Sequence, residues 1–218
     1  MDDELEASKE RAWREVAAID AAYKRGDLDD AGWHRETAAL VVPAYLAADT
    51  PQGGSGSSRD EAGWERARSL LADAVQPDQT FLDIGCANGL LMESMASWAG
   101  VEPYGLEISP ELAELAQRRL PQWANRIWVG NALHWEPPHP FAVVRTGLDY
   151  VPPPPRRGLV EHVLGYANRL VIGVFNEERE KRVLESEVAE WGFEISGRTE
   201  RPHPHPRLAY RAFWIDAK

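Results

Sequence analysis

The chain has 218 residues, enough for one globular domain of ordinary size and an appendage. Apolar residues make up 44% and charged residues 27%, which is near the average of globular proteins and excludes a fibrous or wholly disordered chain. The formal net charge is −11, and a surface of that sign repels phosphate backbones. We therefore expect no nucleic-acid partner.

Two further absences narrow the class of protein. No apolar run approaches the roughly 18 residues of a membrane span, and the acidic start differs from a basic secretory signal. We expect a cytoplasmic protein without membrane contact. Cys86 is the single cysteine, which excludes an internal disulfide framework and a zinc site with several cysteine ligands.

The N-terminal part of the chain reads as a pair of helices. Apolar residues at four-three-four spacing predict a first amphipathic helix over 4–25, and Gly26 interrupts it. A second helical pattern covers about 29–45, with Pro43 bending or ending it. These helices form an appendage to the main domain.

A stretch rich in glycine, serine and other turn residues follows at 49–58 and predicts a loop. Such a segment is usually a linker, although its place just before the next motif is also consistent with a mobile lid. We place the domain boundary here, with an N-terminal helical cap at 1–58 and a second domain at 59–218. Ser58 or Asp60 can cap a third helix beyond the loop.

After Pro77 the chain alternates short apolar runs with helical patterns, which favours a parallel sheet covered by helices on both faces. The last two strands have no helix between them, only a proline-containing connection at 197–207, and suit a closing antiparallel pair. The predicted strands are 80–83, 103–106, 127–129, 141–145, 170–175, 193–196 and 208–215, and the predicted helices are 90–98, 110–119, 155–167 and 176–191.

The most informative segment follows the first of these strands. Asp83 ends the strand, and Gly85 and Gly89 let the next turn bend sharply and approach a ligand, while the following helix presents free N–H groups. The turn predicts a site for an adenosine-type ligand. It is not the dinucleotide fingerprint, because Ala87 stands at the second glycine position and the last glycine follows after one residue.

Polar residues also follow the next three strands. Glu107 stands 24 residues after Asp83 (107 − 83), near the spacing of about 20 expected for a carboxylate that binds ribose hydroxyls. A helix-capping role ahead of Ser109 is the alternative for Glu107. Asn131, whose amide both donates and accepts, follows the third strand, and Asp149 and Tyr150 follow the fourth. Carboxyl ends of parallel strands share one edge of the sheet, so these side chains converge there.

The turn at 83–89 resembles motif I of the class I S-adenosylmethionine-dependent methyltransferases. Asp83 matches the acid of that motif, Gly85 and Gly89 match its outer glycines, and Ala87 replaces the middle one. The resemblance covers about 61–217. It implies an α/β, Rossmann-like doubly wound fold with a seven-stranded, mostly parallel sheet of order 3-2-1-4-5-7-6, an antiparallel last strand and the N-terminal helical appendage.

The same resemblance implies S-adenosylmethionine as the cofactor and gives individual residues a role. Glu107 would bind the ribose hydroxyls, Ile108 would pack on the adenine, and Asn131 would meet the adenine amino group. Backbone near Thr146 would approach the methionine part. The cofactor-binding residues implied in this way are Asp83, Gly85, Cys86, Ala87, Gly89, Glu107, Ile108, Asn131, Ala132 and Thr146.

Methyl transfer is an in-line displacement at a carbon activated by sulfonium, so a protein mainly aligns the reactants. The resemblance directs Asp149 and Tyr150 toward the methyl acceptor, and we take them as the candidate catalytic residues. His34 and His134 are further candidates for an optional general base. The residues after Tyr150 depart from the Asn/Asp-Pro-Pro-aromatic motif of DNA and protein amide methyltransferases.

We therefore expect O- or N-methylation of a small molecule by an enzyme that needs no metal and can form a homodimer. In many small-molecule members of the family an N-terminal helical segment lines the acceptor pocket, and Trp13, Trp33 and Tyr45 are candidates here. Alternatives are an RNA or protein methyltransferase and a non-catalytic S-adenosylmethionine-binding module. A nicotinamide-dependent oxidoreductase is disfavoured by the missing fingerprint.

Overall fold

The computed structural model describes residues 14–57 and 60–218. Its centre is a seven-stranded sheet in the order β3-β2-β1-β4-β5-β7-β6. The first five strands are parallel to their neighbours, whereas β7 is antiparallel to both β5 and β6. The predicted Rossmann-like sheet and its order are confirmed. The strands are β1 (Thr80–Ile84), β2 (Glu102–Glu107), β3 (Ile127–Val129), β4 (Phe141–Thr146), β5 (Ala167–Glu178), β6 (Gly197–Pro202) and β7 (Leu208–Asp216).

Helices cover both faces of this sheet. They are α1 (14–24), α2 (Asp30–Leu46), α3 (Glu61–Arg68), α4 (Leu90–Ala99), α5 (Pro110–Arg119), α6 (Arg156–Leu164) and α7 (Val183–Glu190). Alternate residues of the central strands point to opposite faces of the sheet. Val143 therefore joins a buried cluster with α3 and α4 on one face, while Val144 joins a cluster with α6 and α7 on the other.

The two N-terminal helices are joined by polar contacts. Trp33 Nε1 donates to Asp20 Oδ1 at 2.8 Å, and the Asp29 side chain caps α2 by accepting from the Gly32 N–H at 2.7 Å. Pro43 lies inside the last turn of α2 and does not end the helix. The first part of the predicted first helix, 4–13, lies outside the residues that the structure describes.

The glycine- and serine-rich segment contains a short 3-10 turn at Gly53–Ser55. Asp60 caps α3, because its side chain accepts from the Gly63 N–H at 2.8 Å. After α3 the chain continues as a 3-10 helix over Ser69–Ala74. The glycine- and serine-rich segment thus joins the N-terminal helices to α3, and the 3-10 helix after α3 precedes the first strand of the sheet.

Two predictions about the C-terminal third were wrong. The helix predicted from residue 176 begins only at Val183, since β5 continues through Glu178 and pairs there with Leu208 of β7 after a bulge. The strand predicted at 193–196 is irregular chain, and the edge strand is Gly197–Pro202. The end of β5 and the edge strand β6 are both polar in sequence. An edge strand can be specified by the backbone hydrogen bonds to its neighbour even where it contains few apolar residues.

Candidate functional site

The glycine-rich turn after β1 has the backbone conformation that its sequence predicts. Gly85 and Gly89 have φ of +74° and +77°, and Ala87 also has a positive φ of +48°. The N–H groups of Gly85 and Cys86 both donate to the Leu106 carbonyl, at 2.8 and 3.2 Å. These bonds attach the turn to the end of the neighbouring strand β2.

Glu107, at the end of β2, fixes the same turn from its other side. Its Oε2 accepts from the Ala87 N–H at 2.8 Å, and its Oε1 accepts from the Ser109 N–H at 3.0 Å. Burial raises the pKa of this carboxyl, and the backbone N–H groups oppose that shift. Each oxygen keeps a lone pair for a further donor. The cap of α5 is Ser109, so the capping alternative for Glu107 does not hold.

A buried ionic contact lies behind the turn. Arg145 of β4 donates from Nη1 to Asp83 Oδ1 at 3.1 Å and to the Tyr150 hydroxyl at 3.0 Å. Asp83 and Arg145 are 1% and 4% exposed, so neither charge is compensated by water. Burial raises the pKa of Asp83, while the Arg145 guanidinium acts in the opposite direction.

The sequence prediction missed Arg145 as a site residue. The available signal was a single charged residue within an otherwise apolar strand, Phe141–Thr146. A cation at such a position needs a buried partner. That partner is the strand-terminal acid Asp83 on the adjacent strand.

Tyr150 covers the first glycine of the turn. A Cβ added at Gly85 would lie 2.7 Å from Tyr150 Cε2, so only glycine permits this approach. Burial raises the pKa of the Tyr150 phenol, and Arg145 opposes the shift. The phenol is therefore neutral near pH 7, and because its oxygen accepts from Arg145, its hydrogen remains available for donation.

Five of the ten predicted cofactor residues, Gly85, Ile108, Asn131, Ala132 and Thr146, line one cavity of about 40 Å³ at the carboxyl edge of the sheet, and Asp83, Cys86, Ala87, Gly89 and Glu107 do not line it. A wider groove of about 510 Å³ lies beside it, between α2 and the start of α5. His34, Ile108 and Asn131 line both spaces. The cavity is lined by His34, Ile84, Gly85, Leu106, Ile108, Gly130, Asn131, Ala132, Thr146, Tyr150, Val151 and Leu159.

Other predicted site residues lie outside this cavity. Asp149 and Tyr150 are both exposed at the surface, but only Tyr150 also lines the cavity. Cys86 packs its side chain into a core cluster with Met92, and burial raises the pKa of its thiol, which is therefore protonated. Gly89 starts α4 and packs against Leu120.

The N-terminal segment contacts the site through α2 and the loop after it. Asn88 of the glycine-rich turn donates from Nδ2 to the Pro51 carbonyl at 2.7 Å. A Cβ at Gly54 would lie 2.7 Å from that same Nδ2, so the loop is closely packed on the turn. Tyr45 packs its hydroxyl against Gly56, and burial raises the pKa of the Tyr45 phenol to about 12.

The aromatic residues proposed for an acceptor pocket have different outcomes. Trp33 is buried between the two N-terminal helices and lines neither space, whereas Trp13 lies outside the described residues. Of the two candidate bases, His34 lines the cavity and His134 is exposed.

Within 14–57 and 60–218, no group of three or more metal-ligating side chains occurs, and no helix is long and apolar enough to cross a membrane.

We expect the substitution Gly85→Ala to destabilise the chain by about 1–2 kcal/mol, the usual cost of a left-handed conformation for an L-residue. The added Cβ would also displace Tyr150. Chemical denaturation measures the stability loss. Gly158→Ala is the matched control, since nothing lies within 4 Å of a Cβ there and its φ is not positive, and it should leave the unfolding midpoint unchanged or higher.

Comparison with known proteins identifies the domain around this site. Residues 81–166 match a family model described as a methyltransferase domain. A search of curated proteins finds no match. Among solved structures, magnesium protoporphyrin IX methyltransferase from Synechocystis PCC 6803, with bound S-adenosylmethionine, has a TM-score of 0.61 at 17% identity over 88% of this chain and 98% of that chain.

Two other solved structures show the same fold. The N-methyltransferase NodS from Bradyrhizobium japonicum WM9, in complex with S-adenosylhomocysteine, has a TM-score of 0.55 at 15% identity over 95% of this chain and 97% of that chain. A TehB-like methyltransferase from Corynebacterium glutamicum has a TM-score of 0.55 at 21% identity over 77% and 92%. The chain thus contains a match to a methyltransferase domain over 81–166, and its fold is the one that S-adenosylmethionine-dependent methyltransferases share.

Glu107 lies between Leu106 and Ile108, which both line the cavity, and these residues suit the cofactor chemically. The Glu107 carboxylate can accept from two hydroxyl groups, and the exposed part of Ile108 offers an apolar surface beside the Asn131 amide. When bound, S-adenosylmethionine supplies an electrophilic methyl group on a sulfonium.

Proposed function

We propose that this enzyme transfers the methyl group of S-adenosylmethionine to an oxygen or nitrogen atom of a small molecule. The observation that carries the proposal is the groove of about 510 Å³ between α2 and α5, which adjoins the cavity formed by the cofactor residues. Pockets for small ligands have volumes of roughly 300–1,000 Å³ and are mostly apolar. Ala38, Ala39 and Val42 contribute such an apolar wall.

The charge of the molecule argues against RNA as the acceptor. The groove is lined by one arginine, Arg35, and one acid, Glu111, and the chain as a whole carries −11. RNA-binding surfaces need clustered cations along the phosphate backbone. The similar magnesium protoporphyrin IX methyltransferase, which is named for a small acceptor, also supports this choice, and a protein acceptor is the alternative.

In the proposed mechanism the chain binds and orients the reactants. Glu107 and Asn131 hold the adenosine part, and the Tyr150 hydroxyl, itself held by Arg145, donates a hydrogen bond within the cavity. A neutral phenol is a poor base, so Tyr150 positions a ligand. Asp149 is exposed next to Tyr150 in the chain, and we assign it contact with an acceptor that enters from solvent.

The proposal is tested by the transfer of labelled methyl groups. The purified chain is incubated with S-[methyl-³H]adenosylmethionine and separate metabolite, RNA and protein fractions. We expect the label in the metabolite fraction, with none for Glu107→Ala. Label confined to RNA or protein would replace the small-molecule proposal with that acceptor class, and cofactor binding without transfer to any fraction would support a non-catalytic module.

A further inference from the structure

We propose that His34 is the acceptor for the adenine amino group and that α2 thereby takes part in selecting the cofactor. The inference rests on the adenosine placement described above. His34 is buried and lines both the cavity and the groove, together with Ile108 and Asn131. Of residues 14–57, His34 is the one that lines both spaces beside the proposed adenine site.

The hydrogen bond to its own helix determines the tautomer of His34. Nδ1 lies 2.7 Å from the Asp30 carbonyl oxygen, which can only accept, so Nδ1 carries the proton. In the neutral ring Nε2 is consequently a bare acceptor. Because Nδ1 is bonded to the helix backbone, Nε2 is the ring nitrogen that remains for a ligand in the space that His34 lines.

Asn131 complements this acceptor with a donor. Its Oδ1 accepts from the Leu133 N–H at 3.0 Å, which assigns the other amide atom as the NH₂ group. Asn131 thus presents a donor at the cavity where His34 presents an acceptor, so in this proposal its NH₂ group meets the ring nitrogen of the adenine and not, as the family resemblance implies, the amino group. Adenine shows the matching pattern, since its amino group donates next to a ring nitrogen that accepts.

A hypoxanthine ring lacks this match. In S-inosylhomocysteine a keto oxygen, which only accepts, replaces the amino group and would face His34 Nε2. Two acceptors in contact leave both unpaired, and a site built for a donor rejects such an analogue strongly. The inference therefore predicts discrimination between two ligands that differ at one position of the base.

Calorimetric titration of the full chain with S-adenosylhomocysteine and with S-inosylhomocysteine tests the proposal. We expect the wild type to bind the adenosyl ligand at least about tenfold more tightly, in the range of one bidentate base contact. His34→Phe keeps a ring against Trp33 but removes the acceptor. It should weaken adenosyl binding about tenfold and abolish the discrimination, whereas His34→Gln, whose amide oxygen can accept, should retain part of both.

The outcomes separate this inference from the function itself. If the wild type binds neither ligand, the cofactor assignment fails; if it binds the adenosyl ligand and His34→Phe binds it equally well, only the role of His34 is overturned. Should His34→Phe not fold, ¹⁵N NMR of the wild-type imidazole decides. A bare Nε2 whose shift responds to S-adenosylhomocysteine and not to S-inosylhomocysteine supports the proposal, and a protonated Nε2 contradicts it.

Discussion

Replacing Arg145 with methionine is expected to lower the free energy of unfolding by about 3–5 kcal/mol, the usual result of leaving one partner of a buried ion pair without the other. Asp83 is 1% exposed, and Arg145 is the cation that donates to it at 3.1 Å. The variant also removes the donor to the Tyr150 hydroxyl. Urea denaturation of the purified variant measures the loss.

The pH dependence of this loss identifies its cause. Burial raises the pKa of Asp83 and Arg145 opposes that rise, so the pKa of Asp83 should be higher still in the Arg145→Met variant. A raised folded-state pKa means that the folded chain binds the proton more tightly than the unfolded chain does. The loss of unfolding free energy in the variant therefore has its complete value above the folded-state pKa of Asp83. It becomes smaller as the pH falls through that pKa.

A second substitution provides the control for this argument. Asp83→Asn in the Arg145→Met background removes the uncompensated charge and should restore much of the lost stability, and its pH dependence should disappear. A loss that is the same from about pH 5 to about pH 8, and that Asp83→Asn does not relieve, would show that packing of the Arg145 side chain is responsible instead.

The sequence predicted those parts of the site that are encoded locally. Gly85 and Gly89 have the positive φ that their turn requires, and Glu107 follows its strand at the spacing of a ribose-binding acid. Each of these signals lies within a few residues of a strand end. Alternation of apolar strands with helices likewise predicted a parallel sheet covered on both faces, whereas the order of its strands was implied by the family resemblance.

The contacts that the sequence did not predict join residues far apart in the chain. Arg145 meets Asp83 across 62 positions, and Asn88 meets Pro51 across 37. Pairs so far apart in the chain leave no periodic pattern in the sequence. The edge strand at 197–202 was missed for another reason, since its polar residues are specified by pairing with β7 and by one half-buried face.

Replacing Glu107 with alanine is expected to weaken the binding of S-adenosylhomocysteine by about 100-fold or more. Two hydrogen bonds to a charged group contribute about 1.5–3 kcal/mol each, and about 1.4 kcal/mol corresponds to a tenfold change in affinity. Glu107 also accepts from the Ala87 and Ser109 N–H groups, so its removal loosens the turn that carries Gly85. The lost hydrogen bonds to the ligand and the loosened turn both lower the affinity for S-adenosylhomocysteine.

Calorimetry with two further variants separates binding from loosening of the turn. Glu107→Gln keeps one acceptor oxygen but turns an NH₂ group toward a backbone donor, and we expect an intermediate affinity. Glu114→Ala, on the exposed side of α5, removes a carboxylate from the same region and should change neither affinity nor folding. If Glu107→Ala binds the ligand as the wild type does, the buried carboxylate serves only to hold the turn, and the ribose site lies elsewhere.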